Sequence, residues 1–180
     1  AELGCLGSVL DCEYRPLNVS REHLQNSPRG AHIKKALNKR VLGELEEKAQ
    51  KKPEEFAEFW ANFGAVIKEG IYEDQDQRER LMKLARFTTT TSNADLTSLE
   101  DYVGRMKDKQ STIYYITGED ADTVARSPQL EGYAARGIEV LLLSDPVDDF
   151  WVRAVTDFDG KPLQSVTQGG IDLTDIAPVE

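Results

Sequence analysis

The chain has 180 residues, 39% of them hydrophobic and 30% charged, with a net charge of −10. That is enough for one or two compact domains with a real core. No apolar run approaches membrane-spanning length, and no charged, apolar and cleavage-site regions follow one another, so no membrane association is expected. Cys5 and Cys12 are too few for a disulfide scaffold or a zinc site; two reduced thiols in a cytoplasmic protein are the expectation.

The charge is unevenly placed. Residues 1–90 balance 15 cations against 15 acids, whereas residues 91–180 carry 7 against 17. Between Arg21 and Arg40 six cations face one acid, Glu22. Such a block favours an anionic partner or is simply a solvated helix face. Nucleic acid is not expected, because the acidic second half would repel it.

In chain order, the first informative stretch is Pro16-Leu17-Asn18-Val19-Ser20-Arg21-Glu22-His23-Leu24-Gln25. Ser20 can cap a helix start, which places Arg21 and Gln25 on one face. An arginine fork on a loop suits a phosphate that gains charge in a transition state. Equally, the stretch reads as an N-capped helix with a solvated arginine.

Ser27-Pro28 opens a helix whose Ile33, Ala36, Leu37, Val41, Leu42, Leu45 and Ala49 recur at helical spacing up to Lys52. Pro53 opens a second, with an aromatic stripe of Phe56, Phe59, Trp60, Phe63 and Ile67 that reads as core, and Gly70 is its expected stop. A third helix is expected over about Asp76–Phe87, and the polar run Thr88–Asn93 reads as a loop or joint.

The period then changes. A capping box at Thr97-Ser98-Leu99-Glu100 opens a helix to about Lys107. Thr112–Thr117 is a β-branched and aromatic strand, two short helices follow (Asp120–Arg126 and Pro128–Arg136), and Ile138–Leu143 is a continuous apolar strand. Strand, helices and strand within this length predict a right-handed parallel crossover. Asp145-Pro146 is expected to cap a helix through Val155, Asp159-Gly160 to make a turn, and Leu163–Val166 to form a further strand. The fold class expected is α/β: a helical layer of three helices followed by a small α/β/α sandwich with a parallel crossover.

A self-contained catalytic site is missing. No P-loop, dinucleotide fingerprint or G-x-S-x-G elbow occurs, and His23 and His32 lack neighbours at ligand spacing, so no metal site is expected. Asp145, Asp148 and Asp149 lie after an apolar strand, where α/β sheets bind ligands, yet a cap and helix-dipole acids explain them more simply.

Several segments, in order, carry a resemblance: Pro16–Glu22; Phe59-Trp60-Ala61-Asn62-Phe63-Gly64 leading to Lys68-Glu69-Gly70-Ile71-Tyr72-Glu73-Asp74; Leu84–Thr88; Ser98–Val103; Gln110 with Ile113–Gly118; and Asp157-Phe158-Asp159-Gly160-Lys161. Together they resemble the ninety-kilodalton heat-shock protein chaperones, the bacterial members most closely, from about Ser8 to Leu173. The resemblance implies the later part of that family's middle domain, with an ATP-binding domain before it and a dimerisation domain after it in a homodimeric protein. It implies residues 1–26 as the end of the larger middle subdomain with its catalytic loop, 27–93 as a three-helix segment, 94–168 as a small α/β/α subdomain and 169–180 as a tail.

By the same resemblance Arg21 would reach the γ-phosphate of ATP, bound with Mg by the N-terminal ATPase domain, with Asn18 and Gln25 organising the loop. The segment alone would bind nucleotide weakly and would not hydrolyse it. Asp149, Phe150 and Trp151 fall in the region tied to unfolded client proteins. The family's usual tryptophan corresponds to Phe150, and packing of either ring on the sheet stays open. Two departures stand out: Glu13-Tyr14-Arg15 precedes the proline where the family has an acid and a leucine, and Ala1–Gly7 does not match the expected strand. A binding-only module that docks clients or partners without a catalytic contribution is the alternative.

Overall fold

A computed structural model describes residues 28–92, 95–168, 173 and 176, with side chains from residue 32. The chain divides into two compact units, residues 1–56 and 57–180. In the first, helix α1 (Pro28–Lys51) starts on a proline, and the next proline starts α2 (Pro53–Glu73). Proline suits a first helical turn, where its missing N–H has no partner to lose, and breaks the helix before it. Lys48 and Lys51 in the last turn of α1, and Glu54 and Glu55 in the first turn of α2, complement the helix dipoles. Lys48 and Lys52 both reach Glu55, at 3.1 and 2.8 Å. On α1, Leu42 and Leu45 are buried.

The second unit holds most of α2 and everything after it. Of the aromatic stripe, Trp60 and Ile67 are buried, while Phe59 and Phe63 stack on each other at 5.1 Å and are half-buried. Gly70 does not stop α2, which runs on to Glu73. A Cβ there would lie 3.1 Å from Leu81 Cδ1, so glycine serves close approach of the next helix rather than termination. That helix, α3 (Arg78–Leu84), is shorter than the sequence suggests, because Arg86–Thr89 forms strand β1. Phe87 and the β-branched threonines suit a strand once Leu141 and Leu142 offer a partner, so the polar run begins inside the sheet.

Strand β2 (Thr97–Ser98) leads into α4 (Leu99–Gly104). The cap is Ser98, one residue later than the expected box: its Oγ accepts from the Asp101 amide at 3.0 Å and donates to the Asp101 carboxylate at 2.6 Å. Strand β3 (Ile113–Thr117) is followed by α5 (Ala121–Ala125), a 3₁₀ turn (Pro128–Leu130), α6 (Glu131–Ala134) and β4 (Val140–Leu143). Helix α7 (Asp148–Ala154) then leads to β5 (Asp157–Phe158) and β6 (Lys161–Ser165). Asp159 and Gly160, with φ of 50° and 71°, join β5 to β6 as a two-residue turn with positive φ at both positions.

The strand order is β2-β1-β4-β3-β6-β5. β3 pairs in parallel with β4 and β6, the expected parallel crossover, while β1 pairs antiparallel with both β2 and β4. The sheet thus takes its β1 strand from the end of an expected helix, Arg86 and Phe87, and the start of an expected loop, Thr88 and Thr89. Side chains alternate between its faces. One face carries Tyr114, Ile116, Val140 and Leu142, which pack with Val124, Leu130 and Tyr133 of the crossover and with Val166. The register Thr88↔Leu142 puts Phe87 and Thr89 on the opposite face, where the Phe87 ring meets Trp151 of α7 at 5.5 Å. Helices therefore cover both faces, which explains the continuous apolar run of β4.

Candidate functional site

Lys68 lies near the end of α2 and is 5% exposed. Its Nζ donates to Asp145 Oδ2 at 2.6 Å and sits 2.9 Å from Asp148 Oδ1 and 3.2 Å from Asp148 Oδ2. It also lies 5.4 Å over the Phe87 ring. An ammonium taken out of water needs this much compensation: two carboxylates and an aromatic face. Asp148, 1% exposed, is satisfied in turn by the Trp151 indole N–H at 2.7 Å and the Asp145 amide at 3.0 Å.

The same contacts set the facing of α7. Asp148 and Trp151, three apart, share the inward side, so Phe150 must emerge on the other. Asp149 and Phe150 are exposed and Trp151 is fully buried. The assignment of Trp151 to a client contact is thereby corrected: its ring packs on Phe87 and its N–H is spent on Asp148. Asp145 is corrected as well. The N-cap of α7 is Val147, with no side-chain cap bond, and the Asp145 carboxylate serves Lys68 instead. Among the described residues no cluster of His, Cys, Asp and Glu could hold a metal ion, and no helix is long and apolar enough to cross a membrane.

Tyr72, one turn beyond Lys68 on α2, meets Phe150 edge-on with ring centroids 6.2 Å apart. Sequence reasoning named Phe150 but gave neither Lys68 nor Tyr72 a role in a site. Lys68 and Tyr72 look like ordinary helix positions until α7 is placed against them, and only their four-residue spacing hints at a shared face. Arg78 staples the region by donating to the carbonyls of Ile71, Tyr72 and Ala154. Arg21, Asn18 and Gln25 lie outside the described residues.

A second ion cluster sits at the other end of β4. Arg105 donates to both oxygens of Glu139, at 3.0 and 2.9 Å, and Thr89 Oγ1 donates to Glu139 Oε1 at 2.6 Å. Burial works to raise the Glu139 pKa, but the hydrogen bonds from Arg105 and Thr89 prevail and hold it below the usual carboxylate value. Beside it the buried Tyr102 hydroxyl donates to the Glu139 carbonyl at 2.6 Å and accepts from the Tyr114 amide at 3.0 Å. Burial pushes that hydroxyl's pKa well up.

Comparison with known proteins identifies the scaffold. Residues 3–178 match the family described as Hsp90 protein. The chain is 51% identical over 176 residues to the chaperone protein HtpG of Roseobacter denitrificans, covering 98% of this chain and 28% of that protein. It is 54% identical over 168 residues to HtpG of Mesorhizobium japonicum, covering 93% and 27%. The chain thus spans little more than a quarter of the length of these relatives. The solved middle domain of a putative heat shock protein from Plasmodium falciparum superposes with a TM-score of 0.75 at 26% identity, covering 80% of this chain and 61% of that one. Sequence and fold agree: the chain belongs to the Hsp90 family and has the α/β architecture of its middle domain.

Proposed function

We propose that this chain is a middle-domain segment of an ATP-dependent molecular chaperone that acts in protein folding and the stress response in the cytoplasm. It would work beside an N-terminal ATPase domain and a C-terminal dimerisation domain of the same protein, with unfolded proteins as clients. The observation that carries this reading is the family match across residues 3–178, which includes the stretch Pro16–Glu22 and the α7 segment Asp149–Phe150.

In this reading residues 1–26 end the larger middle subdomain and present Arg21, with Asn18 and Gln25 organising the loop. An arginine supplied from a second domain offsets charge that develops on the γ-phosphoryl group of ATP. Hydrolysis then depends on docking, because the stabilising group arrives only when the domains close. The segment holds no nucleotide tightly by itself; ATP and its Mg belong to the N-terminal domain. The exposed Phe150 and its neighbour Asp149 contribute a client surface, which Trp151 supports from inside.

The test is Arg21→Ala in the intact protein. ATP turnover falls about a hundredfold while nucleotide binding is retained. Unchanged turnover would remove the catalytic part and leave a module that binds clients or partners only.

A further inference from the structure

Among the described residues, the exposed large hydrophobics are Tyr72, Leu96 and Phe150. Two of the three touch. Tyr72 is 49% exposed and Phe150 59%, yet they come from different helices and their rings meet edge-on at 6.2 Å. A ring pair formed for stability would be expected to bury itself; this one stays open to solvent while its bases are held rigidly. Lys68, four residues before Tyr72, is bound to Asp148, two residues before Phe150. The buried ion pair therefore fixes the spacing of the two rings from beneath. Adjacent exposed apolar groups on a fixed base mark a contact surface.

The surroundings choose the occupant. Glu69, three residues before Tyr72 on α2, is exposed, as is Asp149, the residue before Phe150. The cations nearby are Lys68, which is buried and paired, Arg78, whose guanidinium is committed to the carbonyls of Ile71, Tyr72 and Ala154, and Arg153, one turn beyond Asp149. With Asp145 spent on Lys68, the exposed acids Glu69 and Asp149 outnumber the one exposed cation, Arg153, at these positions. Resting on the client-surface reading above, we infer that Tyr72 and Phe150 form a single two-helix aromatic platform that takes an apolar side chain of a non-native polypeptide flanked by Lys or Arg. The apolar side chain lies against the two rings, and its basic neighbours face Asp149 and Glu69.

The experiment uses two short unstructured fluorescent peptides with the same Leu-Phe centre, one flanked by lysines and one by glutamates. Each is titrated with the 180-residue chain and followed by anisotropy, with thermal melts to show that every variant is folded. The lysine peptide binds about fivefold more tightly than the glutamate peptide at low salt, and the gap narrows as salt rises. Tyr72→Ala and Phe150→Ala each weaken the lysine peptide about tenfold, and Tyr72→Phe keeps its affinity. If Phe150→Ala weakens binding while Tyr72→Ala does not, the platform is overturned and the client surface stands. If neither variant changes binding, or neither peptide binds, the client-surface reading falls with it. Equal affinity for the two peptides overturns the choice of a basic segment as occupant.

Discussion

At the entrance to β4 the buried charge is an acid, Glu139, and its partner Arg105 reaches solvent with 47% of its side chain exposed. At the exit the buried charge is a cation, Lys68, held by the fully enclosed Asp148 and by Asp145, whose side chain is 52% exposed. The first cluster is roofed by Tyr102, which ties α4 to the strand backbone, and no exposed ring stands over it among the described residues. The second carries two. One strand thus ends in two clusters of similar ingredients and different purpose. Where the cation can swing into water, the pair holds the sheet together. Where cation and acid are both enclosed, they become a fixed base for what projects above them.

The comparison can be broken most sharply at Lys68. Lys68→Met leaves Asp148 buried without a counter-ion and lowers stability by about 3 kcal/mol, measured by denaturant melting. A loss under about 1 kcal/mol would show that the exit cluster is no more enclosed than the entrance. Glu139→Gln is milder, about 1 kcal/mol, since Arg105 recovers hydration when its partner is removed. It also changes the acid limb. The folded pKa of Glu139 is depressed, so its contribution is present above the ordinary carboxylate value and is lost as pH falls from there through the lower folded pKa. The variant flattens stability against pH there, and an unaltered slope would place the entrance cluster's charge elsewhere.

The smallest expected effect lies on the other face of the sheet. Burial, with a contribution from Tyr114, raises the Tyr133 hydroxyl to about 12. A raised folded pKa means its stabilisation is complete below the ordinary tyrosine value of about 10 and is lost as pH rises above it. Tyr133→Phe therefore lessens the fall in stability above about pH 10 by one proton's worth, read from melting midpoints and tyrosinate absorbance.

Much of this architecture was legible in residue order. Pro28 and Pro53 mark both helix starts, and Asp159-Gly160 marks the turn between β5 and β6. What local reasoning lost were features decided by distant partners. Gly70 looks like a stop until Leu81 is placed against it. Thr88 and Thr89 look like a loop until Leu142 and Leu141 pair with them. Phe150 and Trp151 are adjacent aromatics of similar character, and only the hydrogen bond from the Trp151 indole to Asp148 decides which goes inside. The Arg21 loop rests on resemblance, whereas the pairing of Tyr72 with Phe150 comes from the fold.

The place of β3 has a consequence for how the chain acquires its shape. Its hydrogen-bonded neighbours, β4 and β6, both follow it in sequence, and β6 does not end until Ser165. β1 must likewise wait for β4 before it can close its side of the sheet. During synthesis, β3 emerges with two unpaired edges and an apolar sequence, Ile113-Tyr114-Tyr115-Ile116, that would suit another chain equally well. A fold assembled from such long-range pairings closes slowly, so this segment is itself exposed to aggregation until β6 is in place.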